Sequence, residues 1–249
     1  MKRGAKLAAL VTAVVMILSA CGKVPSGTQG SDKSGGTQIK KEKSPYADTV
    51  IEWKEPVLED AVREILQKPD GDIRGEELED ITELSLSGTG IYDTDDLIYF
   101  VNLETLDLFD NRISSLAPLS ALKNLRYLNL NGTQISDISA LGSLAGLRVL
   151  EMEQVPVKQT GSLSALCELR YFSAPDSWIA DASGLAGLEK LEYLALKKGG
   201  RMQSATDIEP LKILVHCQKM QVCTPTAEER SELTSALPHS KFVTGYLHS

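Results

Sequence analysis

The chain has 249 residues, 42% of them apolar, with 26 basic and 34 acidic side chains and a formal net charge of −8. An acidic balance disfavours nucleic-acid partners, and three histidines confined to the last 34 residues leave little imidazole for catalysis or metal binding. No G-x-S-x-G, phosphate-cradling glycine loop or H-E-x-x-H occurs, so no catalytic residue, metal ligand or cofactor is expected.

Residues 1–20 read as a targeting segment. Lys2, Arg3 and Lys6 precede an uncharged apolar run from Leu7 to Ala20. Fourteen helical residues reach about 21 Å, short of the ~30 Å hydrocarbon core, which fits a cleavable signal better than a spanning helix. The run ends Leu18-Ser19-Ala20-Cys21-Gly22, which resembles a bacterial lipobox. That resemblance implies lipidation of Cys21, a new N-terminus there, a membrane anchor and an extracytoplasmic location. Residues 21–45 are rich in Gly, Ser, Thr, Gln and Lys and poor in apolar side chains, the composition of a flexible tether. Its typical span is about 25–30 Å. Beyond it, the remaining chain carries 18 basic and 32 acidic residues, a net of −14.

Residues 46–80 form the expected N-terminal helical cap. Pro56 suits a first helical turn, and Val57, Leu58, Ala61, Val62, Ile65 and Leu66 give an apolar stripe of period 3.6. Lys68-Pro69-Asp70-Gly71 is a stop signal, and a second short turn is expected over Glu76 to Asp80. Residues 81–249 hold the repeats and a C-terminal cap. Units of 22 residues begin at Ile81, Leu103, Leu125, Leu147, Leu169 and Leu191, with apolar residues recurring at positions 1, 4, 6, 11, 14, 17 and 20, as in Leu103, Leu106, Leu108, Ile113, Leu116, Leu119 and Leu122. Positions 4 and 6 have strand spacing, whereas positions 11 to 20 step by three and suit 3₁₀ or short-helix returns. One unit cannot bury its own apolar edge, so neighbours must stack. This is the L-x-x-L-x-L signature of a leucine-rich-repeat solenoid: an α/β fold with a curved parallel sheet.

Position 9 is Asn111 in one unit, where the side chain can bond backbone at the turn leaving the strand, but Thr89, Thr133, Val155, Ser177 and Gly199 elsewhere. The unit from Leu191 carries four extra residues around Lys198 to Arg201, after which Cys217, Met220 and Val222 take positions 1, 4 and 6 of a seventh unit. Phase thus sends Cys217 into the core and Cys223 and Cys167 toward solvent, and no disulfide is expected. His216, Cys217 and Cys223 fit no usual metal spacing. Asp93, Asp95 and Asp96 read as a solvated turn. A helix capped by Thr226 and Glu229 and a strand over Lys241 to Thr244 are expected to close the chain.

The units, including Ile135-Ser136-Asp137-Ile138-Ser139-Ala140-Leu141, resemble the 22-residue repeats of internalins and other bacterial surface proteins, over roughly Val50 to Thr244. The resemblance implies a cell-surface binding module. With positions 4 and 6 buried, positions 3, 5 and 7 are expected to face outward on a concave surface. They place Tyr127, Tyr171 and Tyr193 in one column, with Phe109, Asn129 and the acids Asp107, Glu151 and Glu153 beside it. Tyrosine offers rigid contact area with a polar tip, so these eight residues form the candidate face for a protein or glycan partner at the cell surface. Replacing the three tyrosines with Ser is expected to leave thermal unfolding unchanged. The alternative is a structural or adhesion component of the envelope without a single ligand.

Overall fold

The computed structural model describes residues 43–179, 181–196, 209–222 and 227–242. Cys21, most of the tether, Gly199 and Cys223 lie outside them. Eight short strands follow in sequence order and pair with their successors in parallel: β1 (Glu83–Ser85), β2 (Thr105–Asp107), β3 (Tyr127–Asn129), β4 (Val149–Glu151), β5 (Tyr171–Ser173), β6 (Tyr193–Leu196), β7 (Lys219–Val222) and β8 (Lys241–Phe242). Register steps by 22 residues, as in Thr105↔Tyr127 and Tyr127↔Val149. Between β6 and β7 it steps by 26, Tyr193↔Lys219, which is the length of four extra residues. The next step, Lys219↔Lys241, is 22 again.

Each return contains a 3₁₀ turn, from Asp95–Tyr99 in the first unit to Ser183–Leu185 in the fifth. The three-residue spacing of apolar positions produces it, because side chains at i and i+3 eclipse on one side of such a turn. Leu97, Leu119, Leu141, Leu163 and Leu185 are all buried there, opposite the strand residues Leu84, Leu106, Leu128, Leu150 and Phe172. These ladders merge into one continuous core running through every unit. At about 1.5–3 kcal/mol for each large apolar side chain removed from water, the stacked ladders dominate the stability of the solenoid.

The turn leaving each strand has a regularity that apolar spacing does not reveal. Position 8 has positive φ in all five units where it is described: Gly88 (62°), Asp110 (51°), Gly132 (71°), Gln154 (57°) and Asp176 (58°). At position 9 the polar side chains satisfy backbone in different ways. Asn111 donates to the carbonyls of Leu86 and Leu108 and accepts from Gly90 and Ile91. Thr133 donates to Leu130 at 2.7 Å, and Ser177 supplies Val155, which has no polar group, by accepting its amide at 3.2 Å. A ladder that looks broken by residue type is therefore closed by hydroxyls.

The N-terminal cap holds α1 (Pro56–Leu66), with Pro56 in its first turn and the Glu55 side chain capping Val57. Leu58 and Val62 are buried, but Ile65 is 42% exposed and does not belong to the packed stripe. The helix stops at Gln67, in the left-handed conformation (φ 53°), just before the turn residues expected to stop it. The second turn is 3₁₀ over Gly75–Leu78, starting one residue and ending two residues earlier than expected. Ser44 is already buried, its amide donating to Glu79 at 2.8 Å, so the end of the expected tether packs on the cap. Asp96 is also buried, not solvated: its Oδ2 accepts the amides of Lys54 and Glu55 at 2.7 and 2.9 Å and ties cap to first repeat. Asp93 closes its own turn by accepting the Asp95 amide, and Asp95 pairs with Lys54 at 2.6 Å.

At the other end, α2 (Glu209–Lys212) occupies the return, and α3 (Ala227–Ala236) precedes β8. Leu233 and Leu237 are buried, as is Cys217, while Cys167 is exposed.

Candidate binding face

Parallel pairing at constant register turns each odd strand position into a row across the sheet. Position 3 runs Glu83, Thr105, Tyr127, Val149, Tyr171, Tyr193, Lys219 and Lys241. Position 5 runs Ser85, Asp107, Asn129, Glu151, Ser173, Ala195 and Gln221. Phe109, Asn131 and Glu153 follow at position 7. The strand alternation puts these rows on the face opposite the leucine core, as expected.

Their accessibility differs from the expectation. Tyr127 and Asp107 are each 3% exposed, and Asn129 is buried as well. Row neighbours about 4.8 Å apart touch one another, so the middle of a row is covered by its own flanks. Tyr171, Tyr193 and Glu151 are half-buried, while Glu153 and Phe109 (44%) are exposed. The surface a partner can reach is thus formed by Phe109, Glu151, Glu153, Tyr171 and Tyr193, with Tyr127, Asp107 and Asn129 supporting it from below.

That support is specific. Asp107 accepts the Phe109 amide at 3.0 Å and a bond from Asn129. Asn131 donates to Glu151 at 3.1 Å, and Tyr127 also hydrogen-bonds Glu151. Burial pushes the carboxyls of Asp107 and Glu151 above the usual range, with their mutual repulsion adding to the effect at Glu151. Among the described residues no lysine or arginine pairs with Asp107, Glu151 or Glu153. Burial likewise raises the Tyr127 hydroxyl well above its ordinary value and the Tyr171 hydroxyl to about 12, so both remain proton donors at any physiological pH.

Tyr171 and Tyr193 stack with centroids 4.3 Å apart and planes 3° apart. Lys219 Nζ lies 5.4 Å from the Tyr193 ring centroid, extending the stack by a cation–π contact. The sequence pattern did not single out Lys219 and Lys241. The signal was available, because the phase that puts Met220 at position 4 puts Lys219 at position 3 of the same unit.

A leucine-rich-repeat family model, described as two copies of the repeat, matches residues 101–143. An internalin of Listeria monocytogenes superposes with a TM-score of 0.66 at 27% identity, over 74% of this chain and 54% of that one. Internalin C2 of the same organism gives 0.66 at 24% identity, over 82% and 89%. A leucine-rich-repeat protein of Leptospira interrogans gives 0.55 at 18% identity, over 69% and 51%. The chain therefore spans about half the length of the first and third of these structures and most of the second. No curated protein matches the sequence. Repeat, register and neighbours agree on the fold: a leucine-rich-repeat solenoid similar to those of internalins.

Proposed function

We propose that the protein is a lipid-anchored, extracytoplasmic binding module that recognises a protein partner on its concave face. The observation that carries this reading is the half-buried, stacked aromatic pair Tyr171–Tyr193 beside carboxylates that have no cation of their own among the described residues. A rigid aromatic contact surface lowers the entropic cost of association, and a half-buried carboxylate without a cation gains when a partner supplies one. A face built of stacked rings and structurally committed acids supports binding rather than catalysis. The anchor rests on the lipobox-like end of the signal at Cys21, and the basic tether would span the gap between membrane and cap.

Two measurements test the reading. The full chain should retain a specific protein from envelope or host extracts, and Tyr171→Ser with Tyr193→Ser should reduce capture at least tenfold; equal capture would remove the concave face from the proposal. Metabolic labelling with a palmitate analogue should mark the wild type but not Cys21→Ser, and that variant should leave the membrane fraction. Concentration-dependent self-association without saturable capture would point to the structural alternative.

A further inference from the structure

The charges of the concave face are segregated along the row direction. Glu151 and Glu153 lie on and just after β4, the stacked tyrosines occupy β5 and β6, and the exposed Lys219 begins β7. Each end is left incomplete within the described chain. Neither glutamate has a cationic partner, and Lys219 makes a ring contact but no ion pair. Glu151 is also oriented in advance, held by the Asn131 amide and the Tyr127 hydroxyl.

We propose that this strip takes one extended peptide segment of the partner, laid across the strands. A lysine or arginine sits over Glu151 and Glu153, apolar or aromatic residues lie on the Tyr171–Tyr193 stack, and an aspartate or glutamate meets Lys219. The proposal rests on the concave-face reading above and adds the chemistry and the spacing. From β4 to β7 is three strand steps, about 14 Å at ~4.8 Å each. An extended chain rising about 3.3 Å per residue covers that in roughly four residues, so the opposite charges should stand about four positions apart. A neutral glycan offers neither charge, and an acidic glycan or nucleic acid offers only the sign that the glutamates repel. A peptide supplies both.

The test is selection of random twelve-residue displayed peptides on the immobilised full chain. Enriched peptides should carry Lys or Arg and Asp or Glu about four positions apart, in one constant order, with an apolar residue between. For a selected peptide, Glu151→Gln with Glu153→Gln should weaken binding at least tenfold while the melting curve stays cooperative. Selection on Lys219→Glu should replace the acidic end of the consensus with a second basic one. No enrichment over blank support, a consensus without opposite charges, or an unchanged consensus on Lys219→Glu would each overturn the proposal. The concave-face reading survives those failures if the Tyr171, Tyr193 double variant still loses capture from extracts. It falls too if selected peptides and captured protein bind that double variant unchanged.

Discussion

The carboxylate of Asp96 accepts the backbone amide of Glu55 at 2.9 Å across a sequence separation of 41 residues, and both residues are buried. Glu55 reciprocates across the same junction, its side chain accepting the amides of Tyr92 and Asp93 at 3.3 Å while also capping α1. Two acids are therefore spent on backbone donors that would otherwise be orphaned where cap meets first repeat. Asp96→Ala removes the acceptor for two amides, those of Lys54 and Glu55, each costing about 1–3 kcal/mol when left unmade. We expect a loss of about 2–4 kcal/mol in urea unfolding, with faster amide exchange confined first to the cap. Asp96→Asn retains one acceptor oxygen and should lose less than half as much.

Glycines on the return side grade the closeness of neighbouring units. A Cβ on Gly184 would lie 1.8 Å from the Thr160 carbonyl oxygen, one on Gly187 3.1 Å from that of Ser164, and one on Gly161 would meet nothing within 4 Å. The contact at Gly184 is backbone against backbone and has no rotamer with which to yield. Gly184→Ala should cost about 3 kcal/mol, the upper end of overpacking penalties. Gly187→Ala should cost about 1 kcal/mol or less and Gly161→Ala close to nothing. Equal midpoints for all three would mean the units are not this closely stacked.

The left-handed turn at position 8 makes Gln154 the least suitable of its five occupants. Glycine adopts that conformation freely, and aspartate is more often found in it than other side chains, but glutamine has no such advantage. Gln154→Gly should raise stability by about 0.5–1 kcal/mol, and Asp176→Gly by less, measured by chemical denaturation. Destabilisation by Gln154→Gly would show that its side chain contributes packing that outweighs the backbone strain.

Most of the fold was legible because the repeat ties each residue to a phase. Leu106 and Leu119 occupy equivalent places in every unit, and one strand period plus one three-residue period assigns both to the core. Phase even carried across the insertion to Cys217 and Met220. What phase lacks is contact between units. It put Tyr127 and Asp107 on the correct face, yet both are buried and hydrogen-bonded to residues of the next strand, Tyr127 to Glu151 and Asp107 to Asn129. It took Asp96 for a solvated acid because the donors that bury it lie in the cap, outside the periodic segment. The left-handed position 8 was visible only as glycines at 88 and 132, masked by Asp110, Gln154 and Asp176.

The buried Asp107 and half-buried Glu151 give a pH dependence of opposite sign to ordinary acid denaturation. Burial raises the carboxyls of Asp107 and Glu151, so the folded state binds protons more tightly than the unfolded chain does. Their ionisation therefore opposes folding at neutral pH, and that penalty disappears as pH falls through their raised folded-state values toward the ordinary carboxylate range near about 4. Glu151→Gln keeps an acceptor for Asn131 and Tyr127 but carries no charge. It should melt higher than wild type at pH 7.5, with the gap closing as pH is lowered through that window. A gap that widened with acid would mean that Glu151 is stabilised as the anion.

Burial also separates the tyrosines that the sequence groups together. Tyr127 is enclosed beneath the face, whereas Tyr171 and Tyr193 are half-buried and find their main partner in each other. Tyr127→Ser should cost about 3 kcal/mol, as large-to-small changes at buried aromatic sites do, and it strands the Glu151 carboxylate without its hydroxyl. Tyr193→Ser should cost about 1 kcal/mol, mainly the stacking energy with Tyr171. The triple replacement is thus not neutral to unfolding, contrary to the expectation from strand alternation alone. Only the Tyr171, Tyr193 pair separates binding from stability. Thermal melts of the single variants decide the point: equal midpoints for Tyr127→Ser and Tyr193→Ser would contradict the enclosed position of Tyr127. A drop several degrees larger for Tyr127→Ser identifies it as a support of the face rather than part of its contact surface.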